Sequence, residues 1–421
     1  MERFLVEGGR PLEGRVTVAS AKNAVLPILA ACLLTGEECV IRNVPALEDV
    51  STMLKLLAAM GVSVRRSGRT VRVRAAGRIA REAPYDIVRR MRAGYYVLGP
   101  LLGRFGQARV SLPGGCAIGA RPVDLHLKGL EALGAQVEVE HGYILARARR
   151  LAGAPMLLEG NKGPSVGATA NVMMAAVLAR GETVIEGAAR EPEVADLAAF
   201  LNLLGAKVRG AGGPTIRVRG VRTLGGGEFR PVPDRVEAAT FAVAAALTRG
   251  RVEIHNCRPG HLAAVIDRLG ETGAEVVCRP RAMTVTGRER PRPLQFGTAP
   301  YPGFPTDVQA QFTALLAVAD GTSVVTENIF EARFLHAMEL ARMGADVAVN
   351  GNVAVIRGVP RLSGAQVMAS DLRASAALVL AGLVAEGVTE VRRIYHLDRG
   401  YERLETKLGA LGARIKRVGD D

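Results

Sequence analysis

Cations standing where helices begin are the residues of this sequence most suggestive of chemistry. Six apolar, Ala-rich segments open with Ser20-Ala21-Lys22-Asn23, Arg90-Met91-Arg92, Pro164-Ser165-Val166-Gly167, Asp234-Arg235-Val236-Glu237, Thr306-Asp307 and Ser370-Asp371-Leu372-Arg373. Ordinary capping accounts for the Asp and Ser residues among them. It does not account for Lys22, Arg92 and Arg373, because a helix N-terminus is the positive end of the helix dipole. An anion shared between helix N–H groups and these side chains would make sense of them. Lys22 is the more telling because the chain has only 7 lysines beside 48 arginines.

A second candidate lies in Pro113-Gly114-Gly115-Cys116-Ala117-Ile118-Gly119-Ala120-Arg121, a glycine-rich loop ahead of Pro122 and a helix. Cys116 is expected to be exposed, close to Arg121 and a helix N-terminus, both of which lower a thiol pKa. That setting favours a reactive thiol. The other cysteines (Cys32, Cys39, Cys257, Cys278) sit among apolar or β-rich neighbours and read as inert core thiols. No CxxC pair or zinc spacing occurs, so no metal is expected. His126 reads as a cap or packing residue. The charged segments 326–333 and 394–403 read by themselves as loops with surface ion pairs of little worth.

The elements that must position these residues repeat along the chain. An apolar helix, a glycine and a β-rich run recur with glycines at Gly36, Gly106, Gly181, Gly250, Gly321 and Gly387. A second, amphipathic helix ends each time in a glycine: Gly61, Gly134, Gly205, Gly273, Gly344 and Gly412. A glycine just past a helix suits a left-handed cap leading into a strand. The pattern predicts six α/β repeats, with helices apolar on all sides inside and sheets outside. Three repeats each in 22–231 and 232–421 give two domains, with a crossing near Arg230-Pro231-Val232-Pro233. Residues 1–21 form a β-rich lead that could pair with either half.

Composition narrows the partners. The net charge of +14 points to anions, while 4% aromatic residues and no Trp leave a nucleic-acid-binding protein without stacking platforms. At 48% hydrophobic residues the chain is not mainly disordered. No stretch reaches the roughly 18 apolar residues of a membrane span. Met1-Glu2-Arg3-Phe4-Leu5 shows no signal-peptide pattern, so a cytoplasmic protein with free thiols is expected.

The motifs quoted above, with Phe304-Pro305-Thr306-Asp307, Asp371-Leu372-Arg373 and Asp398-Arg399-Gly400-Tyr401-Glu402-Arg403, resemble the UDP-N-acetylglucosamine enolpyruvyl transferase (1-carboxyvinyltransferase) family from end to end. The resemblance implies an inverse α/β barrel of two domains, each with three βαβαββ units. It places the 1–21 lead with 232–421 and the active site in the cleft between the domains. It implies addition–elimination between phosphoenolpyruvate and the sugar 3-hydroxyl, opening peptidoglycan precursor synthesis, with no cofactor. A monomer is expected, though the sequence does not fix the oligomeric state. Lys22, Arg121 and Arg399 would hold phosphoenolpyruvate, and Asn23 would bond the intermediate. Arg92, Arg121, Pro122, Val123, Asp124, Leu125, Ser165 and Val166 would contact the nucleotide. Ile329 would line the sugar site, with Asp371 and Arg373 as further substrate contacts. Asp307 would be the base. Cys116 would be the general acid, open to alkylation by an epoxide such as fosfomycin. Gly163 stands where some members carry Lys or Asp, with Lys162 one residue back, and Tyr96 stands where some carry Trp. The alternative on the same fold is transfer to shikimate 3-phosphate, which needs neither the thiol nor a uridine site.

Overall fold

The computed structural model describes residues 2–89, 91–112 and 123–419, apart from the side chain of Arg92. Cys116, Arg121 and Pro122 lie outside the described residues. The chain divides into two units, one of residues 2–19 and 233–419 and the other of residues 20–112 and 123–232.

Each unit is built on helices that the sequence makes apolar all round. In the Val166–Ala176 helix every residue after the first is buried, and in Arg235–Leu247 every residue after the first is buried too. A helix without a polar face can only lie inside. The Lys22–Ala31 and Leu98–Phe105 helices join Val166–Ala176 in one core, and Thr306–Leu316 and Leu372–Gly382 join Arg235–Leu247 in the other. The strands alternate, as in Tyr143–Arg147 and Thr215–Arg219, so their sheets cover these cores with one face outward.

Among the described residues there are six four-stranded sheets of one topology, one for each sequence repeat. In the second repeat Glu82–Ala83 pairs parallel with Gln107–Ser111, which pairs antiparallel with Tyr143–Arg147, and Gln136–Glu140 closes the edge. With its two helices that is a βαβαββ unit. Three repeats borrow a strand from elsewhere in the chain. Gly227–Phe229 completes the first repeat beside Glu38–Ile41. Glu13–Thr17 pairs with Arg251–His255 in the fourth. Arg3–Glu7 lies between Val388–Arg392 and Arg414–Val418 in the sixth. The lead thus pairs within the second half of the sequence.

All six glycines that end the second helices have positive φ, from 87° at Gly344 to 102° at Gly205, as their left-handed caps require. The first set is less uniform. Gly36 and Gly250 are not left-handed, and in the fourth repeat Arg249 takes the turn with φ 53°. Gly250 is held to glycine for another reason, since a Cβ there would lie 2.0 Å from the Leu12 carbonyl oxygen. One thiol also departs from expectation. Cys278 is exposed, because it sits on Glu275–Arg279, a sheet-edge strand with little covering it, whereas Cys32, Cys39 and Cys257 are buried.

Candidate active site

In the unit of residues 20–232, Lys22 is the first residue of its helix, and the preceding segment is fixed by Ser20 Oγ donating to the Pro231 carbonyl at 3.3 Å. The Lys22 ammonium lies 3.0 Å from Asp49 Oδ2, and Asp49 sits in the first turn of the Glu48–Ala59 helix. Asn23 follows on the same turn and is half-buried.

A second cluster in this unit joins the other expected contacts. Arg92 opens a 3-10 turn over Arg92–Val97, against which the Lys22–Ala31 helix packs. Tyr95 of that turn meets the His126 ring edge-on at 4.8 Å, and His126 belongs to the helix Asp124–Ala132. Asn171 ties both to the third buried helix, donating to the Tyr95 carbonyl at 3.3 Å and lying 3.2 Å from His126 Nδ1. Ser165 caps that helix, its Oγ accepting from the Ala168 N–H at 3.2 Å, and Val166 is the helix's first residue. Gly167 must be glycine, since a Cβ would lie 2.6 Å from Tyr95 Oη and 2.9 Å from the His126 ring. The helix starts carrying Val123, Asp124 and Leu125 and carrying Ser165 and Val166 are therefore neighbours. His126 is a packing residue.

The other unit carries a carboxylate held between two guanidinium groups. Asp307, in the first turn of Thr306–Leu316, accepts at Oδ1 from Arg333 at 2.8 Å and at Oδ2 from Arg373 at 2.9 Å. Both guanidinium groups are buried. Burial alone would raise the Asp307 carboxyl, but Arg373 and Arg333 hold it well below the usual carboxylate range. Burial opposes the charge on Arg373, and Asp307, Tyr401 and Asp234 outweigh it and raise its pKa. Arg373 also reaches Tyr401 Oη at 3.4 Å, and that hydroxyl lies 2.7 Å from Thr240 Oγ1.

Packing fixes Asp307 from behind. Phe304 packs against Phe296 at 4.5 Å and meets Phe312 edge-on at 4.9 Å, which anchors the Phe304-Pro305-Thr306 lead. Thr306 Oγ1 donates to Glu327 Oε2 at 2.9 Å. Glu327 Oε1 accepts from Thr298 Oγ1 at 2.8 Å and from the N–H groups of Ile329 at 2.8 Å and Phe330 at 3.1 Å. One buried carboxylate thus positions Ile329 and the segment bearing Arg333. The reading of 326–333 as weak surface pairs is overturned by this burial.

Asp371 is a cap, its Oδ1 accepting from the N–H groups of Arg373 and Ala374 at 2.8 and 3.1 Å. Arg399 ends the short Tyr395–Asp398 helix between two fixed neighbours. Asp398 is gripped in two bonds of 2.6 and 3.0 Å by Arg417, and a Cβ on Gly400 would meet Leu372 at 2.5 Å. Segment 394–403 accordingly contains a helix rather than a plain loop.

The anion expected beside Lys22 and Arg373 is, in this structure, a protein carboxylate: Asp49 for one and Asp307 for the other. Asp49, Glu327, Arg333 and Tyr401 had no assigned part in the sequence reading. Their side-chain partners lie from 21 to 161 residues away, and nothing in the repeat pattern links them. Among the described residues no cluster of metal-ligating side chains occurs, and no helix is long and apolar enough to cross a membrane.

The profile of the family described as EPSP synthase (3-phosphoshikimate 1-carboxyvinyltransferase) matches residues 6–408. The chain belongs to this family. Within the family it is similar to UDP-N-acetylglucosamine 1-carboxyvinyltransferase of Trichlorobacter lovleyi, 53% identical with both chains covered over 100%. It is also 55% identical to UDP-N-acetylglucosamine 1-carboxyvinyltransferase 2 of Carboxydothermus hydrogenoformans, again over 100% of both. Among solved structures, the enolpyruvyl transferase NikO from Streptomyces tendae superposes with a TM-score of 0.90 at 27% identity, covering 100% of this chain and 99% of its own. An EPSP synthase from Acinetobacter baumannii gives 0.73 at 19% identity over 100% of both chains, a likeness of fold. The family's two-domain inverse α/β architecture is the fold of this chain.

Proposed function

We propose that this protein transfers the enolpyruvyl group of phosphoenolpyruvate to the 3-hydroxyl of UDP-N-acetylglucosamine, releasing phosphate in the first committed step of peptidoglycan precursor synthesis. The observation carrying this reading is the identity of 53% over the whole chain with a relative named for that acceptor. The solved EPSP synthase from Acinetobacter baumannii shares the fold at 19% identity.

On this reading groups of both units act on one pair of substrates in the cytoplasm. Lys22, Arg121 and Arg399 hold phosphoenolpyruvate, and such preorganised cations stabilise the charge that develops as phosphate leaves. Cys116 gives a proton to the methylene carbon of phosphoenolpyruvate. The sugar oxygen then bonds to its C2, and the hydroxyl proton passes to Asp307. Phosphate then leaves C2 and a methyl proton returns to the Cys116 thiolate, which restores both the double bond and the acid. Asn23 bonds the intermediate, Asp371 and Arg373 are further substrate contacts, and Ile329 lines the sugar site. Arg92, Pro122, Val123, Asp124, Leu125, Ser165 and Val166 serve the nucleotide. With its pKa held low, Asp307 is too weak a base for a free hydroxyl. It takes the proton only as the carbon–oxygen bond forms and the oxygen becomes strongly acidic.

Phosphate release decides the acceptor. Phosphoenolpyruvate with UDP-N-acetylglucosamine should give rapid release and the same donor with shikimate 3-phosphate none. Activity confined to shikimate 3-phosphate would overturn the reading.

A further inference from the structure

We propose that Asp49 is a positioning residue for the transfer reaction, holding the Lys22 ammonium where the donor's phosphate must meet it. The proposal rests on the reading above that Lys22 binds phosphoenolpyruvate. The observation is a nearly buried ion pair, Nζ to Oδ2 at 3.0 Å, with the side chains of Lys22 and Asp49 only 12% and 6% exposed. Lys22 stands on the first turn of its helix, where the dipole opposes a cation. Asp49 stands on the first turn of another helix, where the dipole favours an anion. The carboxylate is therefore the better-placed partner of the two, and it offsets the field that would otherwise push the ammonium away. A lysine side chain has four rotatable carbons and three N–H donors. A bond from one donor to a fixed carboxylate sets the direction of the others.

The test is Asp49→Asn, which keeps the shape and removes the charge. Its KM for phosphoenolpyruvate should rise about tenfold, the worth of one oriented ionic contact, with KM for UDP-N-acetylglucosamine unchanged. Asp49→Glu should recover most of the loss, and it also serves if the Asn variant does not fold. A purely structural role would move both KM values together, and that result overturns the proposal. So does an unchanged KM for phosphoenolpyruvate. Acylation of Lys22 by an amine reagent, read by mass spectrometry in the free protein, should be faster in Asp49→Asn, and an equal rate also overturns it. A wild-type chain that releases no phosphate would instead sink the functional reading, while the Lys22 acylation rate still decides whether Asp49 governs the ammonium.

Discussion

Asp307 shows how one side chain can be chosen for two reasons. It is a candidate base, and it is also the counter-charge for two buried guanidinium groups. Replacing it with Asn should abolish turnover and, by leaving Arg333 and Arg373 uncompensated, cost about 3 kcal/mol of stability in urea unfolding. Because the native pKa is lowered, this contribution is complete above the ordinary carboxylate value of about 3.9 and disappears only as the pH falls through the native one. The gap between wild type and Asp307→Asn should therefore persist at pH 5 and close only in stronger acid. A gap already closing at pH 6 would contradict the clamp. Lys22 was legible in the sequence because an odd type stood at a helix start, whereas Asp307 read as an ordinary helix-start acid until the resemblance made it the base. Their partners were not, since Arg333 looks like any other loop arginine until the fold buries it. The resemblance supplied Arg399 and Ile329, whose placement depends on the hidden Glu327, Arg417 and Leu372.

At the scale of elements, helix and strand were readable where the hydrophobic period was strong. The six buried helices and the six left-handed glycines followed from spacing and from the steric freedom of glycine. Strands supplied from a distance were not readable, because Gly227–Phe229 is a short run whose partner, Glu38–Ile41, lies in another repeat. The Phe296–Phe304–Phe312 cluster joins core packing to chemistry, since Phe304 is three residues ahead of Asp307. Phe304→Ala should cost about 3 kcal/mol in unfolding experiments, the usual range for a buried aromatic truncated to Ala. It should also lower kcat, by loosening the lead into the Thr306–Leu316 helix. A stability loss with kcat intact would separate the cluster from the site.

For the whole molecule the charge excess has an address. Residues 20–232 hold 29 Lys and Arg against 17 Asp and Glu, while the remainder holds 26 against 24. The unit that carries Lys22 therefore carries almost all of the net positive charge. Such a field draws in anions, and salt screens it over about 8 Å at 0.15 M. Raising the salt should lower kcat/KM for phosphoenolpyruvate several-fold and leave kcat little changed. A flat salt profile would mean that the bulk charge plays no part in capture. The placement of Arg3–Glu7 between Val388–Arg392 and Arg414–Val418 bears on how the chain comes off the ribosome. This strand is made early, yet its slot exists only once the far end of the chain has been synthesised. Residues 20–232 can close around their own core meanwhile, so the interrupted unit finishes second and carries the costlier loop closure. Refolding from denaturant, where both ends are present from the start, need not follow the order that translation imposes.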